Sequence, residues 1–545
     1  GAMVGANLQR IFTAFNSGFD RLQRAYAGLL TRVIALRQLI LGGLVVGIVL
    51  TGFMFTSLPT AFIPDEDQGY GLGFFQLQNG ASLVETRELG MQIAKVLSEE
   101  DDVVNASVIN GAGFNGSSPD QGLFFFGLKP LEERKAASQS ADAVIKRLNT
   151  KLIQLSDGLA AAAAPPAVPG FSAQGGFYFQ FNDLSNGQYS LNELSDLADQ
   201  LIQEGNASGA FSTLYSQFNP SSPAVGLSID RDVMGALNVD YQEAMDSITA
   251  LTGGNFTGLT YESGQVRNVY MQSAPDQRKS IDDVLSYYVR DRDGGLVQVS
   301  QFAEAELSSA PPAISHYNLN RTVLIQGAEA PGTSSGQALT KIQELFRNAD
   351  FTNIGSAFTG LAALQLSAGN ASVLVFGLGV LIVYLVLSAQ YESYITPVII
   401  LVTVPLAMLG ALVFLRLRSI DLNIYAQVGL VTLIGLAAKN GILIVEVAEQ
   451  KLAQGLSIVD AAVQSAESRL RPILMTAIAA LGGFLPLVVA NGAGAQSQQS
   501  LGTVIFGGLM VATALSLGVV PPIYVIIKQL ESKMTGRHAM ATQQD

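Results

Sequence analysis

The 545-residue chain has no cysteine, no tryptophan, only two histidines, and just 14% charged side chains. Without cysteine there is no disulfide framework, no thiolate zinc site and no cysteine nucleophile. His316 and His538 are too few for a multi-histidine metal site. Soluble domains usually carry about 25% charged residues, so this shortage, beside 49% hydrophobic residues, argues against an ordinary soluble protein. Basic residues are outnumbered 31 to 44, and a pI near 4.7 lacks the basic face that nucleic-acid binding needs. No nucleophile elbow, phosphate-binding Gly-Lys loop or spaced metal-ligand pattern is present. Asp65-Glu66-Asp67 lacks the spaced ligands of a calcium loop and reads as a solvated acidic turn. No catalytic constellation, metal or cofactor is implied.

What is there is unevenly distributed. Residues 59–371 hold 35 acidic against 17 basic residues, a balance of −18, and the rest holds 9 against 14, a balance of +5. A membrane-spanning helix needs about 20 mostly apolar residues. Six such runs occur: Leu39–Leu58, Ser372–Leu387, Ile395–Leu415, Ile424–Val447, Ile473–Ala490 and Leu501–Ile527. Arg10, Arg21, Arg24, Arg32 and Arg37 precede the first, while Lys528, Lys533 and Arg537 follow the last. Basic flanks stay cytoplasmic, so six crossings put both ends inside and the acidic block outside, in a bacterium the periplasm. Arg416 and Arg418 form one discordant loop. The expected organisation is a cytoplasmic segment 1–34, a first span 35–58, an insert 59–371, five spans within 372–527 and a tail 528–545.

Ahead of the first span, Ile11, Phe12, Phe15, Phe19, Leu22, Tyr26 and Leu29 recur at spacings of three and four, opposite Arg10, Arg21 and Arg24. That pattern predicts an amphipathic helix lying in the membrane interface; the alternative is a helical extension packed on protein. The insert alternates strand-like and helix-like stretches, broken by Ala160–Pro169 and then restarting. The expected fold is an α-helical membrane protein of six transmembrane helices with a large α+β periplasmic insert of ferredoxin-like βαβ subdomains.

Two groups of residues stand out. Lys439 lies near the middle of the fourth span, where a lysine costs roughly 2.5–3.5 kcal/mol and needs a partner or a wet cavity. Glu446 shares its helix face about 10.5 Å further along. Asn440 and Thr476 are placed to hydrogen-bond across helices or to their own backbone. No span contains an acidic pair, so a lysine relay in this chain cannot cycle protons alone. The second group is aromatic: Phe114 in the glycine-rich loop Asn110–Gly116, Phe125 among Phe124–Phe126, and Phe177 and Phe179 on an alternating strand. Such rings suit a lipophilic pocket, although phenylalanine on a strand is more often core.

Several segments stand in this order along the chain: Phe62–Gly69 (FIPDEDQG), Ala389–Ser393 (AQYES), Gln427–Leu430 (QVGL), Ala438–Asn440 (AKN), Ile442–Glu446 (ILIVE) and Arg469–Thr476 (RLRPILMT). With six spans around one insert, the chain resembles the C-terminal half of an AcrB-type RND multidrug efflux transporter. The resemblance implies a proton-driven, trimeric inner-membrane pump for lipophilic small molecules, working with a periplasmic adaptor protein and an outer-membrane channel. It assigns Lys439, Thr476, Arg469 and Asn440 to the proton relay region. Gly111, Gly113, Phe114 and Gly116 fall in the family's switch loop, with Phe114, Phe125, Phe177 and Phe179 as substrate contacts. Ala112 stands where the family often has a second phenylalanine, and the relay aspartates belong to the N-terminal half. The expected function is therefore a half-subunit that needs an N-terminal half or a longer parent chain. A non-coupled module that binds hydrophobic ligands or scaffolds an envelope complex is the alternative.

Overall fold

The computed structural model describes residues 2–64, 66–78, 80–113, 116–155, 158–168, 175–492 and 494–541. Helices α1 (Ala2–Ala35) and α2 (Arg37–Ser57) open the chain. A first module follows as β1 (Tyr70–Leu77), α3 (Leu83–Ser98), β2 (Val103–Asn110), β3 (Gln121–Leu128), α4 (Ala141–Leu152) and β4 (Gly158–Ala163). Its sheet is antiparallel in the order β2-β3-β1-β4.

A second module starts with β5 (Phe177–Asp183), α5 (Leu191–Ala207) and β6 (Phe211–Ser216). Here an insertion interrupts it: β7 (Ser222–Ile229), α6 (Arg231–Ala236), α7 (Tyr241–Gly253), β8 (Asn255–Glu262), β9 (Gln265–Met271), α8 (Ile281–Leu285), β10 (Tyr288–Arg290), β11 (Leu296–Gln298), β12 (Ala303–Ala310) and β13 (His316–Tyr317). The insertion has its own core around Met234, Ile248, Val289, Val299 and Phe302. The module then resumes with β14 (Asn320–Glu329), α9 (Ser335–Asn348) and β15 (Ile354–Thr359). Its order, β6-β14-β5-β15, repeats that of the first module.

The repeat is visible in local chemistry. Each of the four module helices starts at a serine whose hydroxyl accepts a backbone N–H: Ser82, Ser140, Ser190 and Ser334. That is the usual way to satisfy an orphan donor in the first turn. Under the helices, each sheet packs phenylalanine against glycine directly across the ladder. Gly71 faces Phe126, Gly73 faces Phe124 and Gly122 faces Phe75; in the second module Gly327 faces Phe177. A Cβ at any of these glycines would collide with the ring or its neighbours. Glycine here is volume left for an aromatic core, closed by Leu89, Ile93, Val144 and Leu148 in one module and Leu194, Leu201, Leu339 and Ile342 in the other.

The remaining helices are α10 (Gly360–Tyr391), α11 (Thr396–Leu401), α12 (Thr403–Leu417), α13 (Ile424–Ala453), α14 (Ile458–Val488) and α15 (Ala495–Ala541). Six stretches are long and apolar enough to cross a membrane: Arg37–Ser57, Gly360–Tyr391, Thr396–Leu417, Ile424–Ala453, Ile458–Val488 and Ala495–Lys533. They match the six expected runs, with α10 and α14 beginning well before the apolar stretch. α12, α13 and α15 form the buried centre, with Ala407, Ala411, Leu430, Val504 and Ala512 at their contacts. α1 packs on protein along one face. Its Tyr26 hydroxyl donates to Leu517 O (2.7 Å), Gln23 donates to Glu467 O (3.1 Å), and Leu30 and Ile34 are buried. Leu22 and Leu29 stay exposed on it.

The Phe62–Gly69 segment joins the two regions, and it is not a solvated turn. Phe62 O accepts from Ile424 N (3.0 Å) at the start of α13. The Glu66 carboxylate accepts from Ser497 N and Oγ (both 2.8 Å) in the first turn of α15, where a helix dipole favours negative charge. Asp67 accepts from both Arg134 terminal nitrogens (2.7 and 2.8 Å), and from Ala141 N (2.9 Å) at the start of α4. Asp65 lies outside the described residues.

Candidate functional site

α13 divides cleanly into two faces. Ala426, Gly429, Leu430, Leu433, Ala437, Asn440, Gly441, Ile444 and Ala448 are buried against neighbouring helices. Val428, Thr432, Gly435, Lys439, Glu446 and Gln450 are exposed. The exposed set recurs at steps of four, three, four, seven and four, which is one stripe along a helix. Lys439 and Glu446 lie on this stripe and form no ion pair with a described residue.

The other relay candidates sit apart. Asn440 faces inward, and its amide donates to the buried Thr513 Oγ1 of α15 (3.2 Å). Thr476, half-buried on α14, donates to Ile473 O of its own turn (3.1 Å). Arg469 is half-buried, and its Nε is enclosed without a hydrogen-bond partner among the described residues. No hydrogen bond among the described residues links Lys439, Asn440, Thr476 and Arg469 to one another. Thr513 was not singled out by sequence. A hydroxyl inside an apolar run was the available signal, and its partner lies 73 residues away. Also missed was Lys528 Nζ, held by Glu449 Oε1 (2.8 Å) and Glu531 Oε2 (3.0 Å) where α13 meets α15. Those carboxylates sit on different helices, so no sequence-local acidic pair announces them.

The second region is a cleft between the two modules. A cavity of about 390 Å³ is bounded by β4 (Ala160 to Ala163) on one side and by Ser212, Thr213, Tyr215, Gln326 and Gly327 on the other. Phe177, Tyr178, Asn149 and Ile153 also line it. Phe74 from the first module stacks on Tyr215 from the second, with ring centroids 5.1 Å apart and planes 20° off parallel. The Tyr215 hydroxyl donates to Gln326 Oε1 (3.2 Å). Burial, and to a lesser degree the neighbouring Tyr178, pushes the Tyr215 phenol well above its ordinary range.

Strand parity decides which predicted aromatics reach this cleft. Phe177, Phe179 and Phe181 all point under the helices; Phe179 is fully buried against Phe346 and Phe358. Of these three only Phe177 lines the cavity, together with its neighbour Tyr178. Phe125 lies on the opposite sheet face from Phe124 and Phe126 and is 37% exposed, outside the cavity lining. Gly111 continues the β2–β3 hairpin at φ 79°, a left-handed turn that suits glycine. Gly113 N donates to Gly116 O (2.7 Å), closing a small bridge. Gly116, with Ser117 and Ser118, borders a separate cavity of about 190 Å³ beside Gln217 and Asn219. Phe114 lies outside the described residues. Among those residues no cluster of His, Cys, Asp or Glu could hold a metal ion.

The charged stripe on α13 and the aromatic cleft both lie within the stretch that matches a known family. The AcrB/AcrD/AcrF family matches residues 3–528. The antibiotic efflux pump membrane transporter ArpB of Pseudomonas putida is 34% identical over 521 residues, covering 95% of this chain and 49% of the relative. The toluene efflux pump membrane transporter TtgB of Pseudomonas putida is 34% identical over 524 residues, again 95% and 49%. The multidrug export protein AcrF of Escherichia coli is 32% identical over 532 residues, 95% and 50%. The chain thus spans about half the length of the curated relatives it matches. It belongs to the AcrB/AcrD/AcrF family of efflux transporters.

Proposed function

We propose that this chain is the C-terminal half of a proton-driven RND-type exporter of lipophilic or amphiphilic molecules. It sits in the bacterial inner membrane with the insert in the periplasm. The observation that carries this reading is the Lys439–Glu446 stripe, charge presented on the open face of an apolar helix. A membrane lysine at mid-span is stable only against a counter-charge or water, so the stripe is the docking face for a companion N-terminal half that carries the relay carboxylates. In this reading Lys439 senses their protonation, with Thr476 and Arg469 on the adjacent helix α14 completing the relay region. Asn440 holds α13 to α15 through Thr513, so that a shift of α13 is transmitted. Glu66, capping α15, and Phe62, bound to α13, pass that shift to the first module and open or close the cleft.

The two modules are ferredoxin-like in this reading, and substrate sits between them against Phe177, Tyr178 and Tyr215. Phe179 supports the sheet from beneath, Phe125 extends the aromatic surface, and the Gly111–Gly116 loop gates passage. The working assembly is a trimer of full subunits joined to a periplasmic adaptor and an outer-membrane channel, as the family resemblance implies. The test is to produce the chain with a companion six-span half and follow proton-dependent efflux. Lys439→Ala abolishes efflux while co-purification of the halves persists. Proton-driven export that survives Lys439→Ala overturns the reading.

A further inference from the structure

Three cavities run in series from the junction to the cleft. The first, about 300 Å³, is bordered by Asp142, Glu329, Asp421, Asn423 and Ser500 where the soluble block meets the helix ends. It shares Ile63, Glu329 and Ser335 with a constriction of about 50 Å³. The constriction shares Gly175 and Phe177 with the cleft. Charge changes sharply along this line. Three carboxylates border the first cavity, Glu329 alone borders the constriction, and no charged side chain among the described residues lines the cleft.

The net −18 of residues 59–371 would suggest cationic substrates. The cleft argues otherwise. A cation drawn to the first cavity has to leave its carboxylates and enter a wall of alanines and aromatic rings that offers no counter-charge, and an unpaired ion in such surroundings is strongly disfavoured. Cation–π attraction is the available compensation, but Phe74 and Tyr215 already turn their faces to each other and Phe177 packs on Phe211 and Phe358, which leaves Tyr178 as the remaining lining ring among the described residues. An anion arriving by the same line meets Asp421, Asp142 and Glu329 first. A neutral molecule loses little on entry and gains the apolar wall. Asn149, Thr213 and Gln326 line the cleft as polar groups, and its volume is at the low end of the roughly 300–1,000 Å³ usual for small-molecule sites.

We infer that the cleft selects small uncharged molecules, one or two rings bearing a single hydrogen-bonding group, over cations and anions of the same shape. This rests on reading the cleft as the substrate site. The burial that raises the Tyr215 phenol acts in the same direction, since it penalises any charged form at this wall.

The test is equilibrium binding to the full chain in lipid nanodiscs with three matched fluorophores. They are N-phenyl-1-naphthylamine, a trimethylammonium-substituted analogue and the sulfonated analogue 8-anilinonaphthalene-1-sulfonate. Signal lost in Ala163→Phe, which fills the cleft from β4, is cleft binding; signal that survives it lies elsewhere and overturns the inference. The neutral probe is expected to bind about tenfold tighter than either ion. Thr213→Asp, at an exposed position of β6 on the cleft rim, is expected to strengthen cation binding about fivefold and leave the neutral probe within about twofold. Equal affinity for the three probes, or no response of the cation to Thr213→Asp, overturns the charge selection while leaving the cleft as a binding site. Failure of all three probes to bind removes the substrate-site reading and the inference together.

Discussion

The insert pairs its buried charges internally, whereas the apolar helices pair Lys528 with Glu449 and Glu531 but leave Lys439 and Glu446 without an ion pair among the described residues. Among the described residues the buried charged residues are Glu100, Asp102, Asp120, Arg134 and Asp183, all in the insert. Each has a partner: Arg134 with Asp67, Glu100 and Asp102 with Arg147, Asp183 with Arg321, and Asp120 with the Ser118 hydroxyl. On α13, by contrast, Lys439 and Glu446 face outward from an apolar helix. A folded unit tolerates buried charge only when it is paired. In the membrane setting proposed above, Lys439 needs a counter-charge or water that no described residue of this chain supplies. Packing differs among the helices as well: the spans of α12, α13 and α15 are more than half buried, while α2, α10 and α14 remain open.

Breaking a settled pair should have the largest effect. Arg134→Ala strands the Asp67 carboxylate and removes donors to Lys129 O and Gln139 O. Losing one partner of a buried pair usually costs about 3–5 kcal/mol, and the partial exposure of Asp67 puts the expectation near the lower end, about 3 kcal/mol. Chemical denaturation followed by circular dichroism in micelles measures it. The pair also sets an acid limit. Burial alone raises the Asp67 carboxyl, but hydrogen bonds from Arg134, Ala141 and Gly69 outweigh it and hold the folded value below the ordinary 3.8. Its contribution is therefore complete above about pH 4, falls as pH drops through the lower folded value, and is absent in Arg134→Ala. Acid titrations that superimpose for the two proteins would contradict this.

A glycine contrast sharpens the comparison at smaller amplitude. At Gly73 a Cβ meets the Phe124 ring and Ala161 O, so Gly73→Ala is expected to destabilise by about 2 kcal/mol through overpacking. Adding Phe124→Leu should return part of that loss, a coupling that a double-mutant cycle isolates. Gly435, on the open stripe of α13, has nothing within contact distance. Gly435→Ala is expected to leave the chain unchanged or stabilise it by up to about 1 kcal/mol, the helix preference of alanine over glycine. Equal responses at the two positions would erase the distinction between a finished and an unfinished surface.

How far sequence reaches follows the same division. The six spans were legible because a 20-residue apolar run has few other uses, and the repeated module was legible from its β-α alternation. Strand parity was not: Phe177-Tyr178-Phe179-Gln180-Phe181 is aromatic on both faces at its start, so which face meets the cleft waited for the helices that cover Phe179. Nor was the joint legible. Glu66 and Asp67 look like a solvated pair until α15 and Arg134, 67 residues beyond Asp67, arrive beside them. Lys439 was found because charge inside an apolar run is costly whatever surrounds it, whereas the Lys528 cluster depends on a contact between α13 and α15 that no local pattern encodes.

The smallest expected change in stability belongs to the residue with the largest expected effect on function. Lys439 touches no counter-charge among the described residues, so Lys439→Ala removes no ion pair there and should alter the stability of the chain by less than about 0.5 kcal/mol, the range of surface substitutions. With the companion half present, the same substitution withdraws the cation that the added carboxylates need, and buried charge without its partner is where large losses arise. The comparison is therefore a difference of differences: the effect of Lys439→Ala on the chain alone against its effect on the paired halves. A loss confined to the pair supports Lys439 as an interface charge. An equal loss in both means that Lys439 is already held within this chain, and the stripe on α13 would then be an ordinary lipid-facing surface rather than half of a contact.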